Sequence, residues 1–247
     1  MEINKIYNES CEDTLKRISD NSIDLVITSP PYNMRTRIRN GQYTTKEKAE
    51  NIASKYTHFP DDLPIDEFYD FHKKILFELL RVSKIICYNF QIVTGSKEAF
   101  FKIIGDFSPY IKDIIIWDKG YGEPAIHEKI LNSVYEFILI LENDDKKGRL
   151  INNSYFTRGS MNNILRIARE KSNLFESHGA VFPEELVRVL LTSFSKENDL
   201  VYDPFMGSGT TAKMCITNKR NYIGSEISKE YCDIIKKRLN SVSESLF

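Results

Sequence analysis

The feature that most constrains the fold is the alternation of short β-branched segments with longer amphipathic segments along the chain. Such alternation is typical of βαβ units, which place their strands in one mainly parallel sheet covered by helices. The predicted strands span residues 3–7, 23–28, 84–88, 113–117, 134–141, 200–203 and 222–226. The predicted helices span about 12–18, 65–82, 97–105, 183–193, 211–217 and 229–239. We therefore expect an α/β fold with seven strands, formed by residues 1–247 as a single domain.

Composition supports one globular domain. The chain has 247 residues, of which 41% are hydrophobic, and this content excludes intrinsic disorder, collagen and coiled coil. No run approaches the roughly 18 apolar residues that a membrane span needs, and the N-terminus lacks a signal-peptide pattern. We therefore expect a cytoplasmic protein with no membrane partner. Cys11, Cys87, Cys215 and Cys232 are widely separated, which favours buried reduced thiols over disulfides or a zinc site.

A glycine-rich loop follows the predicted strand at 200–203. Its sequence is Asp203-Pro204-Phe205-Met206-Gly207-Ser208-Gly209-Thr210-Thr211. Ligands of open α/β sheets bind at the carboxyl ends of strands, where glycine lets the backbone approach them closely. The loop matches neither the phosphate-binding P-loop nor the dinucleotide fingerprint. Asp203 suits an ammonium group and Glu226, which ends the next strand, suits a ribose diol, so the pair favours a cationic nucleoside.

A second motif, Ser29-Pro30-Pro31-Tyr32, follows the buried strand at 23–28. Two successive prolines fix the backbone just beyond the strand, and their carbonyl oxygens become fixed acceptors. A serine hydroxyl, an oriented carbonyl and an aromatic ring suit an amino group on a flat heterocycle. On this segment alone, that interpretation and a simple strand terminator remain equally open.

Together the two motifs resemble those of the S-adenosylmethionine-dependent DNA methyltransferases that modify exocyclic amino groups, and their order resembles the β group of that family. The resemblance implies a Rossmann-like class I methyltransferase fold with a small target-recognition insertion. It also implies S-adenosylmethionine as cofactor and double-stranded DNA as substrate, with the target base flipped out. The catalytic residues that it implies are Ser29, Pro30, Pro31 and Tyr32. The cofactor-binding residues that it implies are Thr28, Phe182, Asp203, Phe205, Gly207, Ser208, Gly209, Thr210 and Glu226.

The implied chemistry has to make an aromatic amino nitrogen nucleophilic, because its lone pair is delocalised into the ring. Acceptance of the two amino hydrogens by Ser29 Oγ and the Pro30 carbonyl would make the nitrogen more tetrahedral and aim it at the methyl group. Tyr32 would stack on the base, and no metal is required. The family tends to carry serine at the first motif position for cytosine N4, so Ser29 favours that target over adenine N6, which is the alternative.

Other functions remain as alternatives. Cytosine C5 methylation is set aside because it needs a cysteine that follows a proline, which this chain lacks. An RNA or protein-glutamine methyltransferase is a more distant alternative, since those families typically place the cofactor loop before the catalytic motif. A catalytically silent nucleic-acid-binding module is a third. The preferred interpretation is a bacterial or phage enzyme, and the sequence leaves open a homodimer and a cognate restriction endonuclease.

Two irregular segments carry the positive charge that DNA contact requires. The whole chain balances 34 Lys and Arg against 35 Asp and Glu, so such contact must be local. Residues 34–64 are predicted to be a basic loop near the active site. Residues 142–176 are predicted to be the target-recognition region, where Arg and Asn side chains suit guanine and adenine edges. The predicted DNA-binding residues are Arg35, Arg37, Arg39, Arg158, Arg166 and Arg169.

Overall fold

A mainly parallel sheet of eight strands organises the computed structural model, which describes residues 1–39, 42–45, 60–122, 128–144, 148–170 and 182–245. The strands are β1 (Lys5–Tyr7), β2 (Ile23–Thr28), β3 (Thr36–Arg39), β4 (Gln42–Thr45), β5 (Ser83–Phe90), β6 (Ile111–Asp118), β7 (Tyr135–Leu141), β8 (Ile164–Arg166), β9 (Leu200–Asp203) and β10 (Asn221–Ser225). The helices are α1 (Cys11–Leu15), α2 (Ile65–Val82), α3 (Lys97–Phe107), α4 (Glu184–Phe194), α5 (Thr210–Thr217) and α6 (Lys229–Ser245).

The strand order in the sheet is β1-β10-β9-β2-β5-β7-β6-β8, and β3 pairs with β4 in a separate antiparallel ribbon. Within the large sheet β7 is antiparallel to its neighbours β5 and β6, whereas the other pairings are parallel. The first residues of β7 therefore lie at the same edge as the last residues of β2, β5 and β9. This edge, the carboxyl edge, carries both sequence motifs.

Apolar helix faces cover both sides of the sheet. On one side, α2 and α3 contribute residues such as Phe68, Leu79 and Ile103. On the other side, α4, α5 and α6 contribute residues such as Leu190 and Ile235. The two central strands β2 and β5 are buried except near their first residues and are mostly apolar, because helices cover both faces of the sheet. A rigid core thus supports the carboxyl edge.

The predicted α/β sheet is confirmed, but the predicted count of seven strands is wrong. All seven predicted strands are present, five of them with shifted ends, and β8 adds an eighth at the edge beside β6. Because β8 has three residues, it is too short to show the alternation of apolar and polar residues that marks a strand. The ribbon of β3 and β4 lies within the segment predicted to be a basic loop. The missed signal is Asn40-Gly41, a dipeptide that favours two-residue hairpin connections.

All four cysteines are buried and none forms a disulfide, in agreement with the prediction of reduced thiols. Among the described residues, no helix combines the length and apolarity that crossing a bilayer requires.

Candidate active site

The carboxyl edge brings the two sequence motifs into contact. Thr28 is the last residue of β2 and Asp203 is the last residue of β9, and these strands are neighbours. The Thr28 hydroxyl donates a hydrogen bond of 2.8 Å to Asp203 Oδ1, and both side chains are buried. The Ser29–Tyr32 turn therefore begins directly beside the glycine loop.

Asp203 organises the glycine loop through its carboxylate. Besides Thr28, the backbone N–H of Phe205 donates to Oδ1 at 3.0 Å, and the Thr211 hydroxyl donates to Oδ2 at 2.7 Å. Burial raises the pKa of Asp203 to about 6, against the lowering effect of these hydrogen bonds. The carboxyl group is thus a buried acid that still ionises near neutral pH and has acceptor capacity left on Oδ2.

Glu226 follows β10 and closes the loop from the other side. The backbone N–H of Gly207 donates to Glu226 Oε2 at 2.9 Å, and that of Ser228 donates to Oε1 at 2.8 Å. Burial raises the pKa of Glu226 to about 7. Since a carboxylate offers about four acceptor positions, Glu226 keeps capacity for two further donors, such as the hydroxyls of a ribose diol.

The two loop glycines serve different purposes. Gly207 and Gly209 both have positive φ, of 52° and 78°. A Cβ added to Gly209 would lie 2.7 Å from Ile235 Cγ2, so this glycine lets α6 pack against the loop. A Cβ added to Gly207 would have the Phe205 carbonyl at 3.8 Å as its nearest neighbour. Gly207 thus faces open space while its N–H binds Glu226, which suits close approach of a ligand such as S-adenosylmethionine.

A buried arginine fixes the rest of the glycine loop. Arg238 of α6 donates to the Ser208 carbonyl at 2.8 Å and to the Thr210 hydroxyl at 3.2 Å. Its other guanidinium nitrogen donates to Glu184 Oε1 at 2.7 Å, which links the loop to the start of α4. Ser208 and Thr210, two of the predicted cofactor-binding residues, are thus held by their neighbours in a defined position.

Two aromatic residues predicted to bind the cofactor flank this region. Phe205 is half-buried, and its ring centroid lies 6.0 Å from that of Phe71 on α2. Phe182 is half-buried just before α4, with its ring centroid 6.3 Å from that of Trp117 on β6. Residues 171–181, which directly precede Phe182, lie outside the described residues.

The Ser29–Tyr32 segment, the predicted catalytic motif, is anchored by a buried polar network. The Tyr32 hydroxyl lies 2.6 Å from Ser29 Oγ, 2.6 Å from Asn89 Nδ2 and 3.2 Å from Glu136 Oε2. Asn89 Nδ2 also donates to Glu136 Oε2 at 2.7 Å, and Lys119 Nζ donates to Glu136 Oε1 at 3.1 Å. The Tyr32 ring is therefore held in place through its hydroxyl.

Sequence reasoning missed three members of this network, namely Asn89, Lys119 and Glu136. They come from β5, from the residue after β6, and from the start of β7. A usable signal exists for Glu136, because it is the one charged residue in the otherwise apolar strand Tyr-Glu-Phe-Ile-Leu-Ile-Leu. Burial lowers the pKa of Lys119, Glu136 raises it, and nearby Arg169 lowers it further. Arg169 therefore acts electrostatically on Lys119.

The turn after the catalytic motif is held by Asn33, which has a φ of 59°. Its side-chain amide donates to the carbonyl of Leu63 at 2.8 Å and to that of Gly95 at 3.0 Å. A Cβ at Gly95 would lie 2.2 Å from the Asn33 carbonyl oxygen, so only glycine permits this approach. The chain is thus tightly fixed where the basic segment begins.

The predicted DNA-binding arginines of residues 34–64 begin beside this turn. Arg35 donates its backbone N–H to the Asp61 carbonyl at 2.8 Å, and its guanidinium lies 3.8 Å from Asp62 Oδ2. Arg37 and Arg39 are on β3, and their side chains lie outside what the structure describes, as do residues 40–41 and 46–59.

The predicted target-recognition region is partly ordered by one buried acid. Glu142, 1% exposed, accepts hydrogen bonds from the backbone N–H groups of Asn152 at 3.0 Å and Asn153 at 2.7 Å. The three predicted DNA-binding arginines of this region, Arg158, Arg166 and Arg169, are exposed. Of these, Arg166 donates to Asp118 Oδ2 at 3.1 Å. Residues 145–147 and 171–176 of the region lie outside the described residues.

Comparisons with known proteins give the family. A family model described as DNA methylase, for N6 and N4 methyltransferases, matches residues 23–237. The chain is 28% identical to the type II methyltransferase M.BglII of Bacillus subtilis over 94% of this chain and 68% of that protein. It is 55% identical to the orphan methyltransferase M.BamHII of Bacillus amyloliquefaciens over 84 residues, a match that spans 32% of each chain.

The fold agrees with this match. The solved structure of PvuII DNA methyltransferase (cytosine-N4-specific) superposes with a TM-score of 0.72 at 17% identity, over 99% of this chain and 91% of that one. The predicted class I methyltransferase fold is thus confirmed, and so is S-adenosylmethionine as the cofactor of this family. Because the family model covers most of the sequence, the chain belongs to the S-adenosylmethionine-dependent N6/N4 DNA methylase family.

Proposed function

We propose that this methyltransferase modifies the exocyclic N4 amino group of a cytosine flipped out of double-stranded DNA. The observation that carries the proposal is the 2.8 Å hydrogen bond between Thr28 and Asp203. This bond joins the Ser29–Tyr32 turn to the glycine loop, so the acceptors for an amino group lie beside the acids for the cofactor. Methyl transfer requires that proximity.

The cofactor site proposed here comprises the glycine loop and its two acids. Asp203 would bind the ammonium group, Glu226 the ribose hydroxyls, and the backbone of Gly207–Thr210 the methionine part. Thr28, Phe182 and Phe205 would complete the walls. When bound, S-adenosylmethionine supplies an electrophilic methyl group.

The catalytic site proposed here acts on the base. Ser29 Oγ and the Pro30 carbonyl would accept the two amino hydrogens, which localises the nitrogen lone pair and aims it at the methyl group. The Tyr32 ring would stack on the flipped base, and Pro31 would keep the turn rigid. Ser29 itself supports cytosine over adenine, because cytosine-N4 enzymes of the family tend to carry serine at this motif position.

For DNA recognition, we propose that residues 34–64 and 142–176 contact the duplex as parts of a single domain spanning 1–247. The exposed arginines at 158, 166 and 169 support this role, because arginine binds phosphates and guanine edges. The type II name of M.BglII supports a cognate restriction endonuclease as a functional partner. Light scattering of the purified protein would show whether it forms the homodimer that the sequence leaves open.

Expression in a host that lacks DNA methyltransferases tests the proposed target base. Mass spectrometry of the hydrolysed host DNA should detect N4-methylcytosine, and single-molecule sequencing should place it within one short recognition sequence. DNA from cells that express Ser29→Ala is the control and should carry no modification. N6-methyladenine in its place would reject the cytosine assignment, and unmodified DNA from the wild-type culture would reject the function.

A further inference from the structure

We propose that Glu136 is a positioning residue that sets the direction of the hydrogen bonds at the catalytic motif, so that Ser29 Oγ presents lone pairs rather than its hydrogen to the base. The inference deepens the proposed function and rests on it, since Ser29 must accept an amino hydrogen. It is carried by the contacts that join Glu136, Asn89, Tyr32 and Ser29 in one buried network.

The argument begins with groups whose hydrogen-bonding roles are fixed. The ionised carboxylate of Glu136 can only accept, and the amide nitrogen of Asn89 can only donate. Asn89 Nδ2 has two hydrogens, and it lies 2.7 Å from Glu136 Oε2, 2.6 Å from the Tyr32 oxygen and 3.3 Å from Ser29 Oγ. The two shorter contacts take the two hydrogens. The opposite amide orientation is excluded, because it would set the Asn89 oxygen against the Glu136 carboxylate. Tyr32 therefore accepts a hydrogen bond from Asn89.

Within the described network, two acceptors lie in reach of the single hydroxyl hydrogen of Tyr32, namely Glu136 Oε2 at 3.2 Å and Ser29 Oγ at 2.6 Å. Hydrogen bonds to a charged acceptor are roughly twice as strong as neutral ones. Ser29 can also donate to the Tyr32 oxygen, whereas Glu136 cannot donate at all. The arrangement that gives each hydroxyl hydrogen an acceptor runs from Ser29 to Tyr32 and from Tyr32 to Glu136.

The direction of these hydrogen bonds determines whether Ser29 presents lone pairs or its hydrogen to the base. With its hydrogen committed to Tyr32, Ser29 Oγ has only lone pairs left for a substrate amino group. In the reversed direction, Tyr32 would donate to Ser29, and the Ser29 hydrogen would point away from the network towards the substrate. That hydrogen would oppose the amino hydrogens, so the reversed arrangement is unproductive for the proposed chemistry.

Lys119 keeps the carboxylate in place. Its side chain is 0% exposed, that of Glu136 is 10% exposed, and the two charged groups lie 3.1 Å apart. Burial of a carboxylate is costly unless a paired charge and hydrogen bonds compensate it, and Lys119 Nζ supplies both at Glu136 Oε1.

A double-mutant cycle on Tyr32→Phe and Glu136→Gln tests the inference. The assay measures transfer of a tritiated methyl group from S-adenosylmethionine to DNA from a methyltransferase-deficient host. Each single variant should lower kcat by about 10–100-fold, while cofactor affinity by calorimetry changes less than about twofold. The double variant should be no slower than Tyr32→Phe, because Glu136 acts through the Tyr32 hydroxyl. The proposal would be overturned if the two kcat losses multiply in the double variant, or if kcat is unchanged in Glu136→Gln.

Two further variants separate this role from general stability. Glu136→Asp keeps the charge and should retain more activity than Glu136→Gln, and the reverse order would contradict the role of the charge. Asp24→Asn, at the opposite end of β2, alters a partly buried carboxylate far along the strand and should leave kcat unchanged. Wild-type turnover establishes the proposed function independently, so its absence would reject that function rather than the role of Glu136.

Discussion

Thr28 Oγ1 donates a 2.8 Å hydrogen bond to Asp203 Oδ1 across two adjacent strands, with both side chains buried. The two residues are 175 positions apart in sequence, yet the bond joins the catalytic motif to the glycine loop. A change at either residue should therefore affect both the stability of the domain and the acid that we assign to the cofactor.

Replacement of Thr28 by valine removes this bond without changing the shape of the side chain. We expect the free energy of unfolding to fall by about 1–3 kcal/mol, because the Asp203 carboxylate loses a buried donor. The pKa of Asp203 should rise for the same reason, and the pH midpoint of cofactor binding should move upward. Urea unfolding and calorimetry measure the two effects. Thr14→Val, another buried threonine bonded to an acid, should lower stability without moving that midpoint.

Cofactor affinity should fall as the pH drops from 8 to 5. Burial raises the pKa of Asp203 to about 6 and that of Glu226 to about 7 in the free protein. An ammonium group and a diol both bind the ionised acids better, so binding releases protons and weakens once the acids are protonated. Calorimetry in two buffers with different ionisation enthalpies measures this release. Asp203→Asn should weaken cofactor binding and abolish the change in affinity near pH 6. Asp199→Asn, just before β9, is the control and should preserve that change.

Ser29→Ala should abolish most methyl transfer and spare the cofactor site. Loss of one well-placed hydrogen-bonding group at a reacting centre typically lowers kcat by about 100-fold or more. The Ser29 hydroxyl has no contact with Asp203 or Glu226 among the described hydrogen bonds, so S-adenosylmethionine affinity should change less than about twofold. Ser22→Ala, before the other end of β2, is the matched control and should remain fully active. Normal turnover in Ser29→Ala would refute its assignment as the amino-group acceptor.

The sequence made the two motifs visible because each is contiguous. Ser29–Tyr32 and the loop from Asp203 each combine a strand end, a turn and their reactive groups within a few residues. The contact between Asn89, Lys119 and Glu136 could not be predicted from local patterns, because the three residues come from three different strand ends. Their contact depends on the antiparallel direction of β7, which places its second residue at the carboxyl edge. Local patterns predict strands and turns, whereas pairing direction is settled by tertiary packing.

The two loop glycines should respond differently to alanine. At Gly209 the added methyl group would overlap Ile235, and the residue has a φ of 78°, so we expect a loss of about 2–4 kcal/mol in unfolding free energy. At Gly207 the methyl group meets open space, so backbone strain alone should cost about 1 kcal/mol. Cofactor affinity should instead fall strongly in Gly207→Ala, because the methyl group would occupy the proposed ligand space. Equal affinity in Gly207→Ala and the wild type would place the ligand elsewhere.

The exposed arginines should contribute to DNA affinity through phosphate charge. Each of Arg158→Ala, Arg166→Ala and Arg169→Ala should weaken binding to a long duplex, and each phosphate that is no longer neutralised should reduce the salt slope of log K by about 1. Fluorescence anisotropy across a salt series gives the slopes, with Lys236→Ala on α6 as an exposed control cation. A salt slope that stays unchanged in all three arginine variants would move the DNA contact away from residues 142–176.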